Sequence, residues 1–263
     1  MKFEHYTFGK RLRSMLNVDF RRMFTSRLFY IIAGICLVTP ILILVMTTMM
    51  DGSVSVNPQT EEETIIEGFK NVWQIIGTVS GSGMSMDMTA MCNINLLYFG
   101  IAVLVGLFVS DDFRSGYAKN LFTVRANKSD YVISKTLVLF VSSILLVLCF
   151  FVGALAGGAI AGVPFSMDGF DTGNLVMCLI SKLLLTLVFV PIYLCISVGA
   201  KSKAWLSLVG GCAVGALLFM MIPALTPLNA TAMNVLLCVA GGALFSLGFG
   251  AASNMILKKT SLV

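Results

Sequence analysis

Ala204 to Leu257 reads AWLSLVGGCAVGALLFMMIPALTPLNATAMNVLLCVAGGALFSLGFGAASNMIL, without one charged side chain. A bilayer-spanning helix needs about 20 mostly apolar residues, so this stretch is too long for one span. Pro223 and Pro227 in Ile-Pro-Ala-Leu-Thr-Pro-Leu divide it, because proline lacks the amide proton a continuous helix needs. Two spans are expected, at 204–222 and 233–257. The same rule applied upstream gives spans at 28–50, 94–110, 136–163 and 174–200. The expectation is an all-α membrane protein with six transmembrane helices. The whole chain agrees: of its 263 residues 57% are hydrophobic and 12% charged, with mean hydropathy +0.92. Soluble domains carry roughly twice that share of charge.

Lysine and arginine mark the cytoplasmic side of a membrane protein. Sixteen of the 18 fall in four places that a six-span chain brings to one side. These are residues 1–27, the stretch 111–135, the turn holding Lys201 and Lys203, and the tail with Lys258 and Lys259. The opposite side collects Asp51, Glu61, Glu62, Glu63, Glu67, Asp87, Asp168 and Asp171 against Lys70 alone. Both termini are therefore expected in the cytoplasm. The first apolar run is too long for a cleavable signal and no small-x-small site follows it.

Three segments outside the spans carry pattern. Residues 8–27 place Phe8, Leu12, Met15, Leu16, Phe20, Met23 and Phe24 at helical spacing, with Arg11, Arg13, Arg21 and Arg22 beside or opposite them. That pattern predicts a basic amphipathic helix lying in the inner interface, either as an anchor or as an elbow that also touches a cytoplasmic partner. The external segment 51–93 contains Ile65, Ile66, Phe69, Val72, Trp73 and Ile76 on one helical face, and Thr60 with Glu63 has the form of a capping box. A short amphipathic helix over 61–79 is expected, with Trp73 at headgroup level, capping the bundle or shaping an exit. The third segment, 111–135, reads DDFRSGYAKNLFTVRANKSDYVISK, an ordered pattern of a turn glycine, apolar positions and basic residues.

Inside the spans, Gly153/Gly157, Ala154/Gly158/Gly162, Gly211/Gly215 and Gly241/Gly242 provide small surfaces for close helix packing, more within one chain than between chains. Lys182 alone is charged well inside a span; it either snorkels outward along its stem or belongs to a transport path.

Several chemistries are excluded. The only histidine is His5, and the seven cysteines are scattered without a C-x-x-C pair, so neither a metal site nor a disulfide framework is written here. There is no G-x-x-x-x-G-K-S/T loop to cradle a nucleotide and no H-E-x-x-H. No carboxylate lies within a span, which disfavours proton- or sodium-coupled transport. Nucleic-acid binding has no support beyond charges that the topology already explains.

The remaining pattern resembles the permease subunit of ATP-binding-cassette transporters of the type-two exporter class. The residues carrying the likeness are the amphipathic helix at 8–27 and, after the second span, Asp112, Gly116, Leu121-Phe122, Arg125, Lys128 and Tyr131 to Lys135. Members of that class more often have glutamate at the first of these positions and a proline where this chain has Thr123-Val124. The resemblance implies that 111–135 is a coupling loop docking into a separate ATPase subunit, with Arg114, Lys119, Arg125 and Lys128 as contacts. It also implies a second permease, identical or paralogous, a bacterial cytoplasmic membrane, and no cofactor in this chain, ATP and magnesium being bound by the partner. The Met- and Phe-rich spans suit a hydrophobic or amphipathic cargo such as a peptide, an antibiotic or a lipid, and the resemblance implies an antimicrobial peptide among these. The competing reading is a non-transport assembly or sensory subunit whose loop docks another cytoplasmic protein.

Overall fold

The structure is a computed structural model that describes residues 8–56, 63–65, 67–79, 92–124, 128–219 and 221–259. Its helices are α1 (Phe8–Thr25), α2 (Arg27–Met50), α3 (Leu97–Arg114), α4 (Tyr117–Val124), α5 (Lys128–Ala161), α6 (Thr172–Ala200), α7 (Ala204–Phe219), α8 (Ile222–Leu225) and α9 (Ala232–Lys259). Among the described residues, five stretches are long and apolar enough to cross a membrane: Arg27–Met50, Ile94–Arg114, Lys128–Ala161, Thr172–Ala200 and Ala232–Lys259. The chain is a multi-pass membrane protein. The expected fifth span is shorter than 204–222, because α7 stops at Phe219. At 1.5 Å per residue its 16 residues cover about 24 Å, short of a hydrocarbon core of about 30 Å. Pro223 then sits in the first turn of the four-residue α8, where its missing amide proton costs nothing.

The mid-helix prolines do not break their helices: α2 runs through Pro40 and α6 through Pro191. Helix α5 starts at Lys128, eight residues before the expected span, so part of the loop 111–135 is its first two turns. It ends at Gly162, whose φ of +71° allows the Val163 amide to close on the Gly158 carbonyl at 3.1 Å, a Schellman stop.

Helices α2 and α5 pack along the expected small-residue stripe. A Cβ on Gly153 would overlap the Leu37 carbonyl, one on Gly157 would lie 2.8 Å from the Ile41 Cα, and one on Gly158 would overlap Val72. The glycines serve packing within the chain at these positions. Conversely α9 buries only Cys238, Gly242, Ser253 and Leu257; Leu236, Leu237, Leu244, Leu247 and Met255 stay exposed.

The segment after α2 corrects the sequence reading. Instead of a helix over 61–79, Val54–Val56 (β1) pairs antiparallel with Glu63–Ile65 (β2), and a 3₁₀ turn covers Val72–Ile75. Thr60 of the proposed capping box and Gly81 to Ser85 lie outside the described residues. The apolar face is present: Phe69, Val72, Trp73 and Ile76 are buried against the bundle. The Trp73 indole donates to the Phe165 carbonyl at 3.2 Å and the Val72 amide to the Pro164 carbonyl at 3.1 Å. The Leu228 amide reaches the Thr78 carbonyl at 2.8 Å, so 67–79, 163–171 and 226–231 meet at one end of the bundle.

Candidate functional site: a charged mount for the loop helix

The opposite end gathers the basic segments. A cleft of about 310 Å³ there is lined by Ser26 and Leu28 of the α1–α2 junction, by Asp111 and Arg114 of α3, and by Ser202 of the α6–α7 turn. Lys128 at the start of α5 donates to the Leu257 carbonyl in the last turn of α9 at 2.6 Å, which brings that helix end to the same place.

Gly116, at φ +76°, turns the chain from α3 into the eight-residue α4. The conformation is costly for a residue with a Cβ, although nothing lies within 4 Å of where one would stand. Beneath α4 two aspartates, a lysine and an arginine form a closed network. Asp112 accepts from Arg22 Nη1 at 2.6 Å through one oxygen, and from the Tyr131 hydroxyl at 2.9 Å and Lys135 Nζ at 2.7 Å through the other. Lys135 also reaches Asp19 at 2.9 Å, and the second Asp19 oxygen accepts from the Ser134 hydroxyl at 2.7 Å. Arg22 stacks on the Tyr117 ring, 4.0 Å from its centroid, and Lys135 lies 4.1 Å from that of Phe108. The side chains of Asp19, Asp112 and Lys135 have 0% exposure.

Charges are buried only when paired and hydrogen-bonded, and here two anions face two cations. The network takes Asp19 and Arg22 from α1, Asp112 from α3, Tyr117 from α4, and Tyr131, Ser134 and Lys135 from α5. Residues spaced three or four apart share a helix face, which is why α1 and α5 can each supply more than one member. Burial, reinforced by Asp19 and Asp112 and opposed by Arg22, pushes the Tyr117 hydroxyl up to about 12, so it stays a neutral donor at physiological pH. The Arg22 guanidinium loses hydration on burial, but Asp112 more than offsets this and holds it above its ordinary value. A second clamp joins Arg11 Nε to Asp130 at 3.2 Å, again α1 to α5.

The expected site residues thus divide. Asp112, Lys135, Arg11 and Arg22 hold α1, α3 and α5 together beneath α4. Lys128 serves α9, with its ammonium 5.6 Å from the Phe122 ring. Leu121 and Phe122 are half-buried, Phe122 edge-on to Tyr131, so they seat α4 on the bundle. Arg114, Lys119, Arg13 and Arg21 are exposed, and Arg125 lies outside the described residues. Asp19 was missed. A lone acid in a basic helix carries no local signal, and its partners are 115 and 116 residues away. A groove along α1, lined by Lys10, Arg13, Ser14, Leu16 and Asn17, continues the exposed basic surface.

Lys182 does not snorkel. It is 1% exposed, its ammonium donating to Thr226 Oγ1 at 2.9 Å and Asn95 Oδ1 at 3.3 Å. Among the described residues no group of three or more histidine, cysteine or acidic side chains could hold a metal ion.

The model of the family described as ABC-2 family transporter protein matches residues 16–215, well over half of the chain. The chain belongs to that family. It is a membrane permease subunit of an ABC transporter. The match runs from α1 into α7 and so includes the whole network beneath α4, while α9 lies beyond it. Neither a curated protein nor a solved structure matches the chain. ABC-2 family membership implies an ATPase partner within the transporter system.

Proposed function

We propose that this permease moves a hydrophobic or amphipathic cargo outward across a bacterial cytoplasmic membrane, driven by a separate ATPase subunit that docks on α4. Six spans with both termini inside, α7 with α8 forming the fifth, put α1, α4, the 201–203 turn and the end of α9 on the cytoplasmic side. The observation that carries the reading is the mount of α4. An eight-residue helix fixed to α1, α3 and α5 through a buried charge network can pass a push from a partner to three helices at once. A loop that merely obeyed the charge rule would need no such fixture. The permease works with a second copy or a paralogue, and among candidate cargoes an antimicrobial peptide, an antibiotic or a lipid fits the apolar spans.

The exposed Arg114 and Lys119 are the contacts to test. Replacing both by Glu should weaken ATPase association by about tenfold, equivalent to ~1.4 kcal/mol, without lowering the melting temperature of the permease. Unchanged association and unchanged permease-dependent ATP hydrolysis would reject α4 as the docking element. A kinase or other regulator bound there instead would favour the assembly or sensory reading.

A further inference from the structure

Lys182 is the eleventh residue of α6, about 15 Å along the helix from Thr172. Its neighbours come from three other parts of the chain. Asn95 lies in the 3₁₀ turn that leads into α3, and Thr226 ends α8 in the break between α7 and α9. The Thr226 hydroxyl donates to the Ile222 carbonyl at 2.9 Å, which leaves its lone pairs for the ammonium. Tyr98, stacked on Phe189, donates its hydroxyl to the Lys182 carbonyl at 3.1 Å, and the Cys178 thiol points to the Thr226 carbonyl at 3.5 Å. Just beyond, Leu228 is tied to Thr78 of the external segment. One side chain therefore joins α6 to the turn that leads into α3 and to the α7–α9 break.

No ion pair among the described residues includes Lys182; its contacts are neutral dipoles. An ammonium buried in a membrane bundle on neutral acceptors alone is held against a large desolvation penalty. Water reaching it would take over both hydrogen bonds and remove that penalty. Such a contact suits a position that must close and still release, because on opening water replaces both hydrogen bonds and ends the desolvation cost.

We propose that Lys182 is a latch at the outer end of the bundle, closing the exit of the transport path through Asn95 and Thr226 and releasing when the bundle opens. The proposal rests on the exporter reading. It is tested on the permease with its ATPase in sealed right-side-out vesicles, using a membrane-impermeant maleimide and mass spectrometry of each cysteine. Cys178 is buried beside the latch and Cys92, half-buried, serves as the comparison. Cys178 should be protected at rest and label about tenfold faster during ATP turnover. Thr226→Val and Asn95→Leu each remove an acceptor while the charge remains, so each should raise the resting rate about tenfold. Thr226→Ser should restore protection, and Thr226→Val should add nothing once Lys182→Met is present. Labelling of Cys178 unmoved by turnover, while ATP hydrolysis depends on the permease, would overturn the latch and leave the exporter standing. Resting rates unchanged in both acceptor variants would overturn it as well. If no ATP hydrolysis depends on the permease, the exporter reading fails, and the resting rates decide whether the contact holds the outer end closed.

Discussion

Three donors converge on the Asp112 carboxylate, and two of them carry charge. Deleting one member of such a network costs more than the contact itself, because the partner stays buried and unpaired, a penalty of about 3–5 kcal/mol. Lys135→Met should therefore lower the melting temperature sharply, since it leaves Asp19 without its cation and Asp112 with one cation, Arg22, beside the Tyr131 hydroxyl. Asp19→Asn alone should be comparably damaging. The double variant Asp19→Asn/Lys135→Met should recover part of the loss, because the charges leave together. Thermal unfolding of the four proteins in detergent gives the coupling, and additive losses would contradict the network. Exposed Arg13 and Arg21 serve as controls, where alanine should change stability by less than about 0.5 kcal/mol.

For whole elements, long uncharged apolar runs coincide with five helices long and apolar enough to cross a membrane, because a span must satisfy its own backbone polar groups and so declares itself in composition. α2, α6 and α9 fall within three residues of their expected bounds. The segment between α2 and α3 did not declare itself in this way. Phe69, Val72, Trp73 and Ile76 do share a face, but hydrogen bonds from Val72 and Trp73 to the Pro164 and Phe165 carbonyls, and from Leu228 to Thr78, go with a 3₁₀ turn here instead of an α-helix. Local periodicity cannot distinguish a face turned to lipid from one turned to protein. Close packing of α2 on α5 leads to a further expectation. Gly153→Leu should clash with the Leu37 backbone, which cannot move aside as a side chain can, and should sharply reduce the yield of folded protein. Gly199→Ala, with nothing within 4 Å of its Cβ, should be harmless or slightly stabilising, as read by fluorescence-detected size exclusion.

Across the whole molecule, basic segments gather at one end, around the cleft and the Lys128–Leu257 contact, and the segment 67–79 covers the other. The mount of α4 was half legible: Asp112, Lys135 and Arg22 stood out as charged residues in patterned segments, whereas Asp19 and Tyr117 gained meaning only when α1 folded across α5. Asn95 and Thr226 were invisible for the same reason, being neutral residues near span ends whose partner lies 87 and 44 positions away.

The central claim is that this permease is driven through α4 by a separate nucleotide-binding chain. Extracting the permease from its native membrane in mild detergent and quantifying every co-purifying protein by mass spectrometry tests it most directly. The account predicts a stoichiometric ATPase subunit, lost when Arg114 and Lys119 are both changed to Glu, and a second permease, identical or paralogous. A permease that emerges with no nucleotide-binding chain, even after gentle cross-linking, would contradict it.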